Sequence, residues 1–127
     1  MILDNIAQIE ILRKPVIKIL SLTSFDMRIT NPWSGQKVCL NSFKHKGYWF
    51  YGRRREQKTM ALFKRYANEG SRIIEIGGHI GWITQYFSKL AGNRGAVEVF
   101  EPGLNNYSYI AKNTASCPNV VIIRKAV

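Results

Sequence analysis

The fold of this 127-residue chain is decided by one continuous stretch, Arg72-Ile73-Ile74-Glu75-Ile76-Gly77-Gly78-His79-Ile80-Gly81. Its first half is a short β-branched run, which is typical of a strand buried in a parallel sheet. The glycines that follow at once let the chain turn sharply, and they let a ligand approach the main chain without a Cβ in the way. The stretch therefore predicts a buried strand that runs into a tight, ligand-accessible turn.

The residues after this turn repeat the alternation of helix and strand. Apolar residues at helical spacing from Trp82 to Leu90 predict a helix that ends at Ala91-Gly92-Asn93. A second strand is predicted over 96–100, a second helix over 105–115 and a third strand over 120–123. The order strand, helix, strand, helix, strand is that of half a doubly wound α/β sheet with right-handed crossovers.

The residues before the strand follow another pattern. Turn residues such as Asn31-Pro32 and Gly47 break the segment 28–52, which predicts short strands at 37–40 and 48–51. From Arg55 an amphipathic pattern predicts a helix that stops near Gly70 with a left-handed cap. This part of the chain is thus expected to be a small α+β extension in front of the sheet.

The N-terminus combines helical periodicity with acidic residues. Apolar residues recur on one helix face at Ile2, Ile6, Ile9 and Leu12. We expect a short helix there, interrupted by Pro15. Asp4 and Glu10 stand where a signal peptide would carry positive charge, and no run approaches the roughly 18 apolar residues of a membrane span. We therefore expect a cytoplasmic, unprocessed protein with no membrane contact.

Charge is concentrated in the first part of the chain. The net charge is +11, with +8 in residues 1–69 and +3 in residues 70–127. Between Arg28 and Lys58 the basic residues are interleaved with aromatic ones, a mixture that suits a polyanion. Solvated edge strands, contact with an acceptor or partner, and nucleic-acid binding all stay open for this stretch.

Cys39 and Cys117 stand far apart without a Cys-x-x-Cys pair, so neither a disulfide framework nor a metal site is expected.

The glycine turn limits the kind of ligand. The helix that begins after it offers unpaired N–H groups to a phosphate or to an amino-acid carboxylate. A dinucleotide fingerprint fails, because its third and sixth positions from Gly77 are His79 and Trp82. The pair Gly81-Trp82 also excludes a Walker loop. Glu75, at the strand tip, is expected to face a cleft where an ammonium or a sulfonium sits, and S-adenosylmethionine carries both cations and no phosphate.

A second acid stands at the tip of the next strand. Glu101 follows Gly81 by 20 residues, at a position where a carboxylate accepts two hydrogen bonds from a ribose diol. Binding of a nucleoside cofactor is therefore predicted. Simpler interpretations stay open: a ligand-free turn, Glu75 as an acid at a helix N-terminus, Glu101 as an ordinary strand end, and a His79 imidazole that only contacts a neighbour.

Residues 56–127 also resemble the first half of FkbM-type S-adenosylmethionine-dependent methyltransferases. The resemblance is carried by residues 74–84, by Val99-Phe100-Glu101-Pro102, by Asn113, by Asn119-Val120 and by Lys125-Ala126-Val127. It implies a Rossmann-like class I methyltransferase that methylates a hydroxyl of a sugar or secondary metabolite. Carried over position by position, it implies cofactor contacts at Glu75, Gly77, Gly78, His79, Gly81 and Glu101.

The chain departs from the family at several positions. The family usually has Asp at position 75, Ala at position 78 and often Asn at position 79, and Gly103-Leu104 replaces a common Asn-Pro. The family also continues with a fourth strand and further elements that nothing here matches. We therefore expect an incomplete sheet of about three parallel strands in residues 56–127, behind a basic extension in residues 1–55.

This incomplete sheet is expected to be inactive alone and to associate with a missing C-terminal half. No catalytic base is identified. The alternative is a small basic module that binds nucleic acid or another polyanion, and a nicotinamide-dependent oxidoreductase is disfavoured by the failed glycine template.

Overall fold

The described part of the chain, residues 10–127 of a computed structural model, begins with helix α1, Glu10–Leu22. The prediction that Pro15 interrupts this helix is wrong, because Pro15 lies inside α1. A proline removes one main-chain donor, and the other hydrogen bonds of the ladder carry the helix onward. The predicted positions Ile2, Ile6 and Ile9 lie outside the described residues. Within residues 10–127, no helix has the length and apolar character to cross a bilayer, and the cytoplasmic location stays a prediction.

An antiparallel hairpin follows, made of β1, Asp26–Thr30, and β2, Lys37–Asn41. The strand predicted over 37–40 is confirmed. The strand predicted over 48–51 is wrong, since the chain there forms helix α2, Lys46–Tyr51, and then a 3₁₀ turn, Gly52–Arg54. An aromatic run has high strand propensity, but packing against other elements overrides such a preference. Here only Tyr48 of the run is buried.

Helix α3, Gln57–Tyr66, confirms the predicted amphipathic helix. Its fully buried residue is Met60, and the ring of Phe63 packs on that of Phe87 at 4.6 Å. The left-handed cap expected at Gly70 is wrong, because the residue after the helix, Ala67, is extended. Gly70 has a φ of +87°, but this left-handed conformation belongs to the turn that leads into the next strand.

The sheet matches its prediction closely. It consists of β3, Arg72–Ile76, β4, Ala96–Phe100, and β5, Val120–Ile123, which are parallel and adjacent in that order. Helix α4, Trp82–Ala91, connects the first two strands, and helix α5, Leu104–Asn113, connects the second two. The three strand predictions are confirmed at both ends. Helix α5 ends two residues earlier than predicted, with Asn113 as its last residue.

One hydrophobic core joins the extension to the sheet. Its buried members come from β2, α2, α3, the glycine turn and α4, and are Val38, Leu40, Tyr48, Met60, Ile80, Trp82 and Tyr86. A second, smaller cluster contains Phe87. The apolar helix face predicted between Trp82 and Leu90 thus supplies Trp82, Tyr86 and Phe87 to the core. The division of the chain at residue 55 stays a prediction, and the core crosses it.

Only one face of the sheet is covered by α4 and α5. Along β3, Glu75 points to the covered face, whereas Ile74 and Ile76 point to the other and are 68% and 67% exposed. Val121 of β5 is paired in register with Glu98 and is also exposed. An apolar open sheet face is therefore part of the architecture.

Candidate functional site

The glycine turn, residues 77–81, is open on one side and tightly packed on the other. Gly77 has a φ of +81°, and a Cβ built on it would meet nothing within 4 Å. At Gly78 a Cβ would overlap Val99 and would lie 2.6 Å from the side chain of Ile110. The main chain is thus accessible at Gly77, while Gly78 lets the turn pack closely against β4 and α5.

His79 occupies the strained position of this turn. Its φ is +51°, a left-handed conformation that few residues other than glycine adopt. The Tyr48 hydroxyl lies 2.8 Å from His79 Nδ1, and the two rings stack with centroids 5.8 Å apart. Burial lowers the pKa of His79, and the positive charge of Arg55 lowers it further, although Glu101 opposes them. The extension therefore supports the turn through Tyr48, and the imidazole is neutral at pH 7.

Glu101 closes the turn from the tip of β4. It is buried, and its Oε2 accepts a hydrogen bond of 2.8 Å from the main-chain N–H of His79. Its Oε1 accepts from the N–H of Gly103 at 2.8 Å and from the Asn106 side chain at 3.3 Å. A carboxylate oxygen has two acceptor positions. Oε2 therefore keeps one position for a further donor.

Glu75 lies beneath the turn, between β3 and α4. It is 8% exposed, and its Oε2 accepts a hydrogen bond of 2.7 Å from the hydroxyl of Thr84. Burial raises the pKa of Glu75 to about 7, with a further increase from the charge of Glu101, while the bond from Thr84 opposes both. Thr84 stands in the first turn of α4, so Glu75 points under the turn toward that helix and contacts it through a side-chain hydroxyl, not through a main-chain N–H.

The structure gathers all the predicted site residues at one edge of the sheet. The two acids come from the carboxyl ends of β3 and β4, which are neighbouring strands with Glu75 paired to Val99. The glycines and His79 occupy the turn between them. The carboxyl edge of a parallel sheet is where α/β proteins bind ligands.

Two buried amides, to which the sequence assigns no site role, tie the hairpin to the turn. Asn113 donates to the carbonyls of Ile80 at 2.7 Å and Cys39 at 2.9 Å, and accepts from the N–H of Cys39 at 2.7 Å. Gln85 donates to the carbonyls of Asn113 at 2.7 Å and Lys37 at 3.0 Å. The sequence marks Gln85 only as a polar residue within an apolar helix face. Its hydrogen-bond partners could not be predicted, because they are distant in sequence.

The basic and aromatic stretch makes many contacts within the protein. The Arg55 guanidinium lies 4.4 Å from the centre of the Tyr48 ring, and its Nε lies 3.2 Å from a carboxylate oxygen of Glu56. Lys46 lies over the ring of Phe43 at 4.5 Å. Several of these cations therefore contact the protein's own rings and carboxylates.

Comparison with known proteins identifies the fold. No family model and no curated protein matches the chain. Among solved structures, a candidate rRNA-methylase from Clostridium thermocellum is similar with a TM-score of 0.53 and 18% identity, over 55% of this chain and 39% of that one. A protein-L-isoaspartate O-methyltransferase is similar with a TM-score of 0.51 and 26% identity, over 55% of this chain and 23% of that one. The matched part thus spans well under half the length of either protein. The chain has the Rossmann-like α/β fold of class I methyltransferases, with three parallel strands of the sheet.

Proposed function

We propose that this chain is the S-adenosylmethionine-binding portion of a methyltransferase. The observation that carries the proposal is the buried carboxylate of Glu101, bonded to the glycine turn and left with an acceptor position on Oε2. That position suits a ribose hydroxyl. The open main chain at Gly77 suits the close approach of the cofactor, and Glu75, the second acid proposed for the site, lies buried beneath the same turn. Gly78, His79 and Gly81 complete the turn that would hold it.

S-adenosylmethionine supplies a methyl group that its sulfonium already activates. The protein's contribution is then to hold cofactor and acceptor in line. The resemblance to FkbM-type enzymes supports O-methylation of a sugar or secondary-metabolite hydroxyl. It also supports an enzyme that needs further strands, and the acidic residues Asp4 and Glu10 support a cytoplasmic location. Further strands would extend the sheet at its edge, and helices that connect them would cover the open face of Ile74, Ile76 and Val121. We therefore expect the chain alone to be inactive, and methyl transfer by the isolated chain would contradict that expectation.

The test is isothermal titration of the full 127-residue chain with S-adenosylhomocysteine, for the wild type, Glu101→Ala and Glu98→Ala. Glu98 is the matched control, because it stands on the same strand and carries the same charge. We expect saturable binding by the wild type and the control, and its loss in Glu101→Ala. Circular dichroism of each sample establishes that the variants are folded.

Two results would contradict the proposal. One is a folded wild-type chain that does not bind the nucleoside, and the other is equal binding by Glu101→Ala. If the same chain bound oligonucleotides with an affinity that fell steeply with salt, the polyanion-binding alternative would replace the methyltransferase.

A further inference from the structure

A polar cavity of about 460 Å³ lies beside the glycine turn, between the hairpin and α5. Its lining includes His79, whose main-chain N–H is bonded to Glu101. The cavity therefore adjoins the turn proposed to hold the cofactor. Its volume is in the range of small-molecule sites.

Two cations in the lining are uncommitted. Lys44 and Lys112 line the cavity, and their ammonium groups make no hydrogen bond or ion pair within residues 10–127. The carboxylate of Asp26 also lies in the lining. Its Oδ1 accepts from the Tyr109 hydroxyl at 2.7 Å and from Asn41 at 3.2 Å, which leaves Oδ2 as an acceptor. The bond from Tyr109 and the charge of Lys112 help to lower the pKa of Asp26.

His45 adds a neutral donor to this lining. Its Nδ1 accepts the main-chain N–H of Asn41 at 2.9 Å, so the proton of the neutral ring is on Nε2. Edge-to-face contacts with Tyr109, at 4.8 Å, and with His79, at 5.3 Å, fix the ring. Burial and the neighbouring His79 lower the pKa of His45 to about 4. At neutral pH the residue thus presents an N–H group without a charge.

The cavity lining thus combines two lysines and the neutral His45 with the amide of Asn105 and the Asp26 carboxylate, whose Oδ2 can accept a hydrogen bond from a hydroxyl group. Such a lining suits a ligand rich in acceptor oxygens that also carries a negative charge. We propose that this cavity binds the methyl acceptor, and that the acceptor is a small polyhydroxylated molecule bearing a phosphate or carboxylate group. The role of this ligand as methyl acceptor rests on the proposed function, whereas its chemical class rests on the cavity alone.

The experiment titrates the full chain, saturated with S-adenosylhomocysteine, with glucose 6-phosphate, glucuronate, glucose and inorganic phosphate as separate probes. We expect at least one of the two anionic sugars to bind at least tenfold more tightly than either glucose or phosphate. The double variant Lys44→Gln, Lys112→Gln should weaken that binding at least tenfold. The matched control, Lys64→Gln with Lys125→Gln, removes the same charge from exposed positions outside the cavity and should bind as the wild type does.

Each result decides a separate point. If neither anionic sugar binds to a chain that does bind S-adenosylhomocysteine, the cavity proposal is wrong and the cofactor proposal stands. Equal weakening in the cavity variant and in the control would overturn the site, because the attraction would then come from net charge. Sugar binding by a chain that does not bind the nucleoside would support the ligand class and overturn its role as acceptor.

Discussion

Replacing Glu75 with glutamine should stabilise the protein above neutral pH and change little in acid. The carboxyl group lies under the glycine turn, and burial is the main reason why its pKa is raised to about 7. The hydrogen bond from Thr84 opposes this effect without reversing it. Glutamine keeps the size and a carbonyl oxygen that accepts from Thr84, but it carries no charge.

The sign and size of the effect follow from proton linkage. An unfolded glutamate releases its proton near pH 4.5, whereas the folded protein keeps it until about pH 7. Between these values the folded state binds more protons, so the free energy of unfolding falls as the pH rises, and the loss is complete above about pH 7. At 1.36 kcal/mol for each pH unit, the difference between the two pKa values corresponds to about 3 kcal/mol.

The assay is urea denaturation, followed by tryptophan fluorescence, at pH 4.5 and pH 8.5. At the higher pH we expect Glu75→Gln to exceed the wild type by about 2–3 kcal/mol in its free energy of unfolding, and at the lower pH the two should be nearly equal. Glu98→Gln is the control, since it removes the same charge from β4, where Glu98 is half-buried on the sheet's other face. Glu98→Gln should show the same fall in the free energy of unfolding between pH 4.5 and pH 8.5 as the wild type.

The opposite result at pH 8.5 would refute the reasoning. If Glu75→Gln were less stable than the wild type at that pH, a positive partner would have to hold the Glu75 carboxylate in its charged form. Burial would then not be the dominant cause of its behaviour.

Three further outcomes are expected from the contacts around the turn. Gly78→Ala should lower the free energy of unfolding by about 1–3 kcal/mol, because its Cβ would overlap two packed side chains; urea denaturation measures this loss. Asn113→Ala should lower the free energy of unfolding by about 2–4 kcal/mol and speed hydrogen exchange at the Cys39 amide, because buried main-chain groups lose their partner. The control, Asn93→Ala at an exposed position, should have neither effect. Tyr48→Phe and His79→Ala, measured singly and together, should show a coupling of about 1 kcal/mol in S-adenosylhomocysteine affinity, and strictly additive effects would mean that their hydrogen bond does not support the turn.

The sheet could be predicted from the sequence because its signals are local. Each strand of β3 to β5 is an apolar run bounded by glycine, proline or asparagine, and each helix between them carries one apolar face. The candidate site residues share this advantage. They lie in the turn after one strand and at the tip of the next, so strand order alone brings Glu75 and Glu101 to one edge.

The extension could not be predicted in the same way, since its contacts are distant in sequence. The aromatic run 48–51 has the composition of a strand, but Tyr48 packs on Trp82 with ring centroids 5.0 Å apart and bonds to His79. A residue of a short helix can make a single buried contact of this kind as well as a residue of a strand can. Asn31 is a similar case: it looks like a turn residue, yet it is fully buried and donates to the carbonyl of Trp82 at 2.9 Å.

These distant contacts change the meaning of the charge in the first part of the chain. His79 holds a left-handed conformation that a β-carbon disfavours, so the turn needs support from its surroundings. Tyr48 gives that support directly, and Arg55 packs against the ring of Tyr48. Lys44, from the same basic stretch, lines the cavity together with His79. In the folded chain, part of the basic and aromatic stretch therefore contacts the candidate site, through Tyr48 at the turn and Lys44 in the cavity lining.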